Sequence, residues 1–194
     1  MLERAGLGGQ APEAGFHNAV GNVAMSRGNH ELALSEFSAA RVLWEALPGD
    51  YPIDMGFVLS NIGAVQTTLG RYGQAREQHL RALKIREETF GTAHPDVAMS
   101  LGNLGIVAFR MGDMAAARDY QERALAIKHG ALPPQHPSLA PTAMNLGLVL
   151  AHTNEIEGAI ELFEEAVEIR TASLGPEHAD VGIAMGNLAD AYRR

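Results

Sequence analysis

Apolar side chains along this chain fall at steps of three and four residues, in runs broken by Gly, Asn or Pro. Leu32, Ala33, Phe37, Ala40 and Leu43 form one stripe, Met55, Leu59, Ile62 and Leu69 the next, and Tyr72, Ala75, Ala82 and Ile85 a third. The pattern continues through Val97, Leu101, Leu104 and Ala108, then Met114, Ala117, Ala124 and Ile127. Leu139, Ala143, Leu146 and Leu150 precede Ile156, Ala159, Phe163, Ala166 and Ile169, and Val181, Met185, Leu188 and Tyr192 follow. Such spacing lays the apolar residues along one face of an α-helix. A weaker amphipathic segment runs from Glu13 to Arg27.

These stripes recur at one offset. Asn61, Asn103, Asn145 and Asn187 lie 42 residues apart, each followed by Ile or Leu and then Gly or Ala. Gly28, Gly70, Gly112 and Asn154 keep the same interval, and these residue types enter a left-handed backbone readily and so end a helix. His94-Pro95-Asp96, His136-Pro137-Ser138 and His178-Ala179-Asp180 open the next helix: Pro suits the first helical position and Asp the positive end of the dipole. Short loops make successive helices antiparallel. A period of this length marks a repeat array, in which each unit buries its apolar face only by stacking on its neighbours.

The sequence therefore predicts an all-α chain of helix pairs over residues 14–50, 51–92, 93–134 and 135–176, with a final single helix at 177–194. Residues 1–13 read as the remnant of an earlier helix and its loop, because Gly49 and Gly91 likewise follow helical runs. Gly21, Gly63, Gly105 and Gly147 sit inside helices, where each costs about 1 kcal/mol relative to Ala. The expected compensation is close approach of the paired helix, whose Ala33, Ala75, Ala117 and Ala159 present equally small side chains. Trp44 occupies the position held by Arg86, Lys128 and Arg170 in later repeats, which reads as exposed; it either covers the N-terminal segment or anchors a partner.

Composition narrows the function. A net charge of −8 argues against duplex nucleic acid, which needs a concentrated basic face. Residues 71–128 carry nine basic against seven acidic side chains, whereas 129–194 carry three against nine. The absence of cysteine removes disulfide and thiol chemistry and suits a reducing compartment. The first residues do not read as a signal peptide, and no run is long and apolar enough to span a membrane. Gly6-Leu7-Gly8-Gly9-Gln10-Ala11 matches a dinucleotide-binding pattern by coincidence, with too few residues before it for the required strand.

No motif for a zinc hydrolase, a phosphate-binding loop or a nucleophile elbow is present. His94, His136 and His178 fall in equivalent loops about 10 Å or more apart, too far to share one metal ion. Glu155, Glu157, Glu161, Glu164, Glu165 and Glu168 read as a solvated face.

Leu101, Leu104, Gly105, Ala117, Ala124 and Ile127, their echoes, and the His-Pro-Asp loop resemble the tetratricopeptide repeat (TPR) family. The similarity is to its 42-residue form, found in kinesin light chains and many bacterial signalling proteins, and it covers about residues 15–194. Departures are local: Gln66 and Ala108 replace a frequent Tyr, His79 and Gln121 a bulky aromatic, and Pro133 the loop Gly.

The resemblance implies a right-handed TPR superhelical solenoid of antiparallel helix pairs, with a concave groove lined by the first helix of each pair. It turns Asn61, Asn103, Asn145 and Asn187 into that groove, where a carboxamide offers both donor and acceptor to a peptide backbone. The alternative is that these Asn brace neighbouring helices. Phe57, Met99, Ile106, Arg110, Met144 and Leu148 are further groove positions, with Gly102, His152, Gly186 and Asp190 beside them; Arg110 and Arg194 supply the positive charge.

The implied function is a non-catalytic, cytoplasmic scaffold for a protein or peptide, with no cofactor, metal, nucleic acid or membrane. Homo-oligomerisation through the repeat ends, or service as a regulatory domain of a larger signalling protein, is the alternative.

Overall fold

The computed structural model describes residues 10–47 and 51–194, and every regular element among them is helical. The order is α1 (Gln10–Ser26), α2 (His30–Ala46), α3 (Pro52–Thr68), α4 (Tyr72–Phe90), α5 (Pro95–Arg110), α6 (Met114–Ala131), α7 (Leu139–His152), α8 (Ile156–Leu174) and α9 (Ala179–Tyr192). No described helix is long and apolar enough to cross a membrane.

The chain divides into two compact units, residues 1–92 and 93–194. In the first, α1 packs on α2, α2 on α3 and α3 on α4. In the second the same order runs from α5 to α9, and the first helices of neighbouring pairs also touch, α5 with α7 and α7 with α9. α1 starts at Gln10, ahead of the expected Glu13, so residues 10–13 belong to the first helix. The glycine-rich stretch before Gln10, the remnant inferred there, and Gly49 lie outside the described residues.

Helix ends follow the predicted chemistry. Gly112 and Asn154 have φ of 80° and 67°, closing α5 and α7 in the left-handed region. After each, the next N–H returns to a carbonyl in the last turn, Asp113 to Ala108 and Glu155 to Leu150, both at 2.9 Å.

Two of the loop histidines, His94 and His178, cap the following helices, and the third bonds within its loop. His94 Nδ1 accepts the Asp96 N–H at 3.2 Å, and His178 Nδ1 accepts that of Asp180 at 3.1 Å. His136 Nδ1 likewise accepts the Ser138 N–H at 3.2 Å. At His94 and His178 an imidazole takes the place of the usual Asp or Ser side chain at the N-cap. α7 begins at Leu139, two residues beyond Pro137, because Ser138 forms the turn before it.

The glycine notches are filled differently from the expectation. Ala33, Ala75, Ala117 and Ala159 are fully buried, but the groups lying against the glycines are the side chains four residues further on. A Cβ on Gly21 would meet the Phe37 ring at 2.6 Å, one on Gly63 the His79 ring at 2.6 Å, and one on Gly147 the Phe163 ring at 2.6 Å. Gly105 faces the Gln121 amide in the same way. The helix-interior glycines therefore make room for a planar side chain, and the ring's burial offsets their lower helix propensity.

The middle repeats thus carry polar groups where the outer ones carry phenyl rings. His79 bonds the Gly63 carbonyl, yet burial and then the nearby Arg86 charge lower its pKa to about 4. Its Nδ1 is buried without a partner, and so is Gln121 Oε1, although Gln121 Nε2 donates to the Gly102 carbonyl at 2.9 Å.

The position shared by Trp44, Arg86, Lys128 and Arg170 is not an exposed one. Arg86 is buried, and Trp44, Lys128 and Arg170 are half-buried. The three cations bring their charged ends to backbone carbonyls, Arg86 to that of Gly56, Lys128 to that of Ser138 and Arg170 to that of Asp180, an arrangement helical periodicity does not reveal.

Candidate functional site

In the second unit, α5 and α7 lie side by side and carry most of the residues assigned to the groove. Ile106 and Arg110 from α5, with Asn145 and Leu148 from α7, line one cavity of about 260 Å³. Four of the ten expected site residues therefore converge. Phe109, Val149 and Gln121 complete the walls and floor, and His152 stands at the rim. The His152 ring meets Phe109 edge-on at 4.8 Å, and its Nδ1–H donates to the Leu148 carbonyl at 2.8 Å, which fixes the imidazole.

The cavity beside Gln121 is larger than the matching hollow beside Phe163, the equivalent residue one repeat later. Its floor bears an acceptor without a partner, Gln121 Oε1, and its walls are mainly apolar. No carboxylate lines it, and Arg110 has no ion-pair partner among the described residues.

A smaller hollow of about 170 Å³ adjoins this cavity, sharing Leu148 and His152 with it and reaching Asn187, Asp190 and Arg194. Arg194 Nη1 donates to the Ala151 carbonyl at 2.9 Å, so its charge is held against α7. Asn103, Asn145 and Asn187 are half-buried, and their carboxamides have no hydrogen-bond partner among the described residues. Met99 is 38 % exposed.

Two of the expected positions differ in character. Met144 is 5 % exposed and belongs to the core around Leu139, Leu146 and Phe163, because its helical angle turns it toward α8 rather than outward. Asn61, in the first unit, donates from Nδ2 to Asn18 Oδ1 of α1 at 3.1 Å, so this member of the ladder braces two helices. Phe57 is 44 % exposed with the Arg86 guanidinium over its ring, 5.4 Å from the centroid.

Sequence reasoning noted Gln121 only as a departure from the family's bulky aromatic and passed over Phe109 and Val149. The available signal was the pair of polar side chains at 79 and 121, where the outer repeats carry Phe37 and Phe163. Among the described residues no group of three His, Asp or Glu side chains gathers in a metal-binding arrangement.

Comparison with known proteins agrees with this architecture. A tetratricopeptide repeat model matches residues 13–79, 54–128 and 138–194. No curated protein matches the chain. Among solved structures, BtubC (BKLC) from P. vanneervenii is 22% identical with a TM-score of 0.79, covering 100% of this chain and 84% of that one. A kinesin light chain repeat protein from Podosopora anserina is 20% identical with a TM-score of 0.74, covering 91% of this chain and 84% of its own. The apo form of RapI is 20% identical with a TM-score of 0.75, covering 92% and 69% respectively. At these identities the likeness is one of fold, an all-helical TPR solenoid.

Proposed function

Because the chain belongs to the tetratricopeptide repeat family, whose members are interaction scaffolds, we propose that it is a non-catalytic, cytoplasmic scaffold that holds a protein segment against the first helices of its second unit. The observation that carries this reading is the cavity of about 260 Å³ bounded by Ile106, Arg110, Asn145 and Leu148. A ligand side chain enters it, while the free carboxamides of Asn103, Asn145 and Asn187 hold the ligand backbone through donor and acceptor together.

The ligand is neutral or apolar rather than strongly acidic. Recognition of an acidic tail needs clustered cations, and Arg110 is the sole arginine or lysine lining the cavity. Binding then depends weakly on salt. The test is selection of peptides from a random display library against the full chain, followed by titration of the winners against Asn145→Ala and Leu148→Asp. The reading predicts neutral, apolar-rich winners that both variants weaken. Acidic-tailed winners whose affinity collapses with added salt, or winners indifferent to both substitutions, overturn it.

A second reading, self-association through α9, is favoured by one observation. Met185 is 55 % exposed, whereas its counterparts Leu59, Leu101 and Ala143 are fully buried. Light scattering on the purified chain across a concentration series distinguishes the two, since a strictly monomeric species removes this second reading.

A further inference from the structure

The residue at the position of Trp44 is a cation in each later repeat, and the structure shows what that cation does. Lys128 in α6 reaches the start of α7, where Nζ donates to the Ser138 carbonyl and to Thr142 Oγ1, both at 2.7 Å. Arg170 in α8 reaches the start of α9 and donates from Nη1 to the Asp180 carbonyl at 2.8 Å. In these two repeats a positive side chain thus spans the step from the second helix of one pair to the first helix of the next, whereas Arg86 donates to the Gly56 carbonyl of its own pair at 3.4 Å.

In the first pair that cation is missing. Trp44 turns its ring onto Tyr51 instead, with centroids 5.0 Å apart and an interplanar angle of 41°. A cavity of about 560 Å³ opens between the end of α2, the first turn of α3 and the end of α4. Trp44, Tyr51, Met55 and Ile85 wall it, and the carboxylate-bearing Glu45 and Glu88 also line it. Among the described residues no lysine or arginine lines it.

We infer that this cavity is a docking site for one lysine or arginine side chain of a partner protein. The aromatic faces of Trp44 and Tyr51 attract a cation, and the side chain's aliphatic stem packs on Met55 and Ile85. Glu45 and Glu88 supply the counter-charge. Both already face surface cations, Glu45 with Arg81 at 3.4 Å and Arg41 at 3.8 Å, and Glu88 with Lys84 at 3.9 Å. Exposed pairs of this kind are weak, so an incoming cation exchanges with them readily. The site shares no residue with the Asn145 cavity and stands whether or not that cavity binds a peptide.

Trp44 is the only tryptophan in the sequence, so its fluorescence reports this cavity alone. The full chain is titrated with acetyl-Gly-Gly-Arg-Gly-Gly-amide and with the same peptide carrying citrulline, which has the shape of arginine without its charge. The arginine peptide gives a saturable change in emission, and citrulline binds about fivefold or more weaker, as loss of a cation from aromatic faces requires. The double variant Glu45→Gln with Glu88→Gln weakens the arginine peptide to a similar degree while keeping its melting temperature. Trp44→Arg restores the internal cation of the other repeats and abolishes binding, followed by calorimetry, in a protein that remains folded. Asn145→Ala leaves the titration unchanged; its loss of response locates the peptide in the other cavity and overturns the inference. Equal affinity for arginine and citrulline, or the absence of a saturable change, also overturns it.

Discussion

Replacing Gln121 with Phe tests how the glycine notches are filled and what sets the size of the Asn145 cavity. Phe37 and Phe163 already lie over Gly21 and Gly147 in the outer repeats, so the same backbone accommodates a ring over Gly105. The substitution removes a buried Oε1 without a partner, whose desolvation weighs about 1–3 kcal/mol against folding. It also buries an aromatic side chain, worth about 1.5–3 kcal/mol when complete. Against this stands the Nε2 bond to the Gly102 carbonyl, about 1 kcal/mol net. The lower ends of these ranges leave a gain of about 1.5 kcal/mol, which for a chain of this length raises the melting temperature by about 3–6 °C. Thermal unfolding followed by circular dichroism measures it. The ring also narrows the cavity toward the size of its counterpart beside Phe163, about 170 Å³, so peptides selected on the wild type weaken about tenfold or more, the loss of one buried apolar contact. A lower melting temperature, or unchanged peptide affinity, refutes the reasoning.

The helices were legible because the 42-residue period aligns several independent signals, the apolar stripe, the left-handed residue at the turn and the Pro-Asp start, on each element. Gly112 and Asn154 illustrate this: each is the residue type the turn demands, and each has the positive φ the turn imposes. The site was legible only in part. Helical spacing brought Ile106, Arg110, Asn145 and Leu148 to one face, because that follows from angle around a helix axis.

What fills the notch above Gly105 depends on a contact between helices, and periodicity within one helix carries no such information. The same limit explains Met144, one residue's rotation from Asn145 yet in the core, and Asn61, whose partner Asn18 lies 43 residues away. The imidazole caps were hidden because the His-Pro-Asp loop offers Pro and Asp as sufficient reasons for a helix start, leaving the acceptor role of His94 Nδ1 without a separate signature.

The Asn ladder separates recognition from bracing. Asn103→Ala and Asn145→Ala should weaken a groove peptide by about 0.5–1.5 kcal/mol with little change in melting temperature, whereas Asn61→Ala should lower stability by about 1 kcal/mol through its lost bond to Asn18. Calorimetric titration and thermal scans of the three variants check this, and a fall in melting temperature at all three makes the ladder a brace throughout. His178→Ala should destabilise by about 1 kcal/mol, as loss of an N-cap does, and His178→Asn should recover most of it. Equal stability of the two variants in urea would show that the imidazole caps nothing.

The acid response should centre on His79. Its folded pKa of about 4 lies below the ordinary 6.5, so between these values the unfolded chain binds a proton that the folded chain refuses. The stability this histidine preserves is fully present above about pH 6.5 and is lost as pH falls toward 4, a total of about 3 kcal/mol. Phe at this position matches Phe37 and Phe163, fits the Gly63 notch and cannot titrate. Urea midpoints measured from pH 7 to pH 4 should therefore fall more steeply for the wild type than for His79→Phe, the difference isolating this residue from the chain's other seven histidines. Parallel profiles for the two proteins would mean that His79 accepts its proton in the folded state as easily as in the unfolded one.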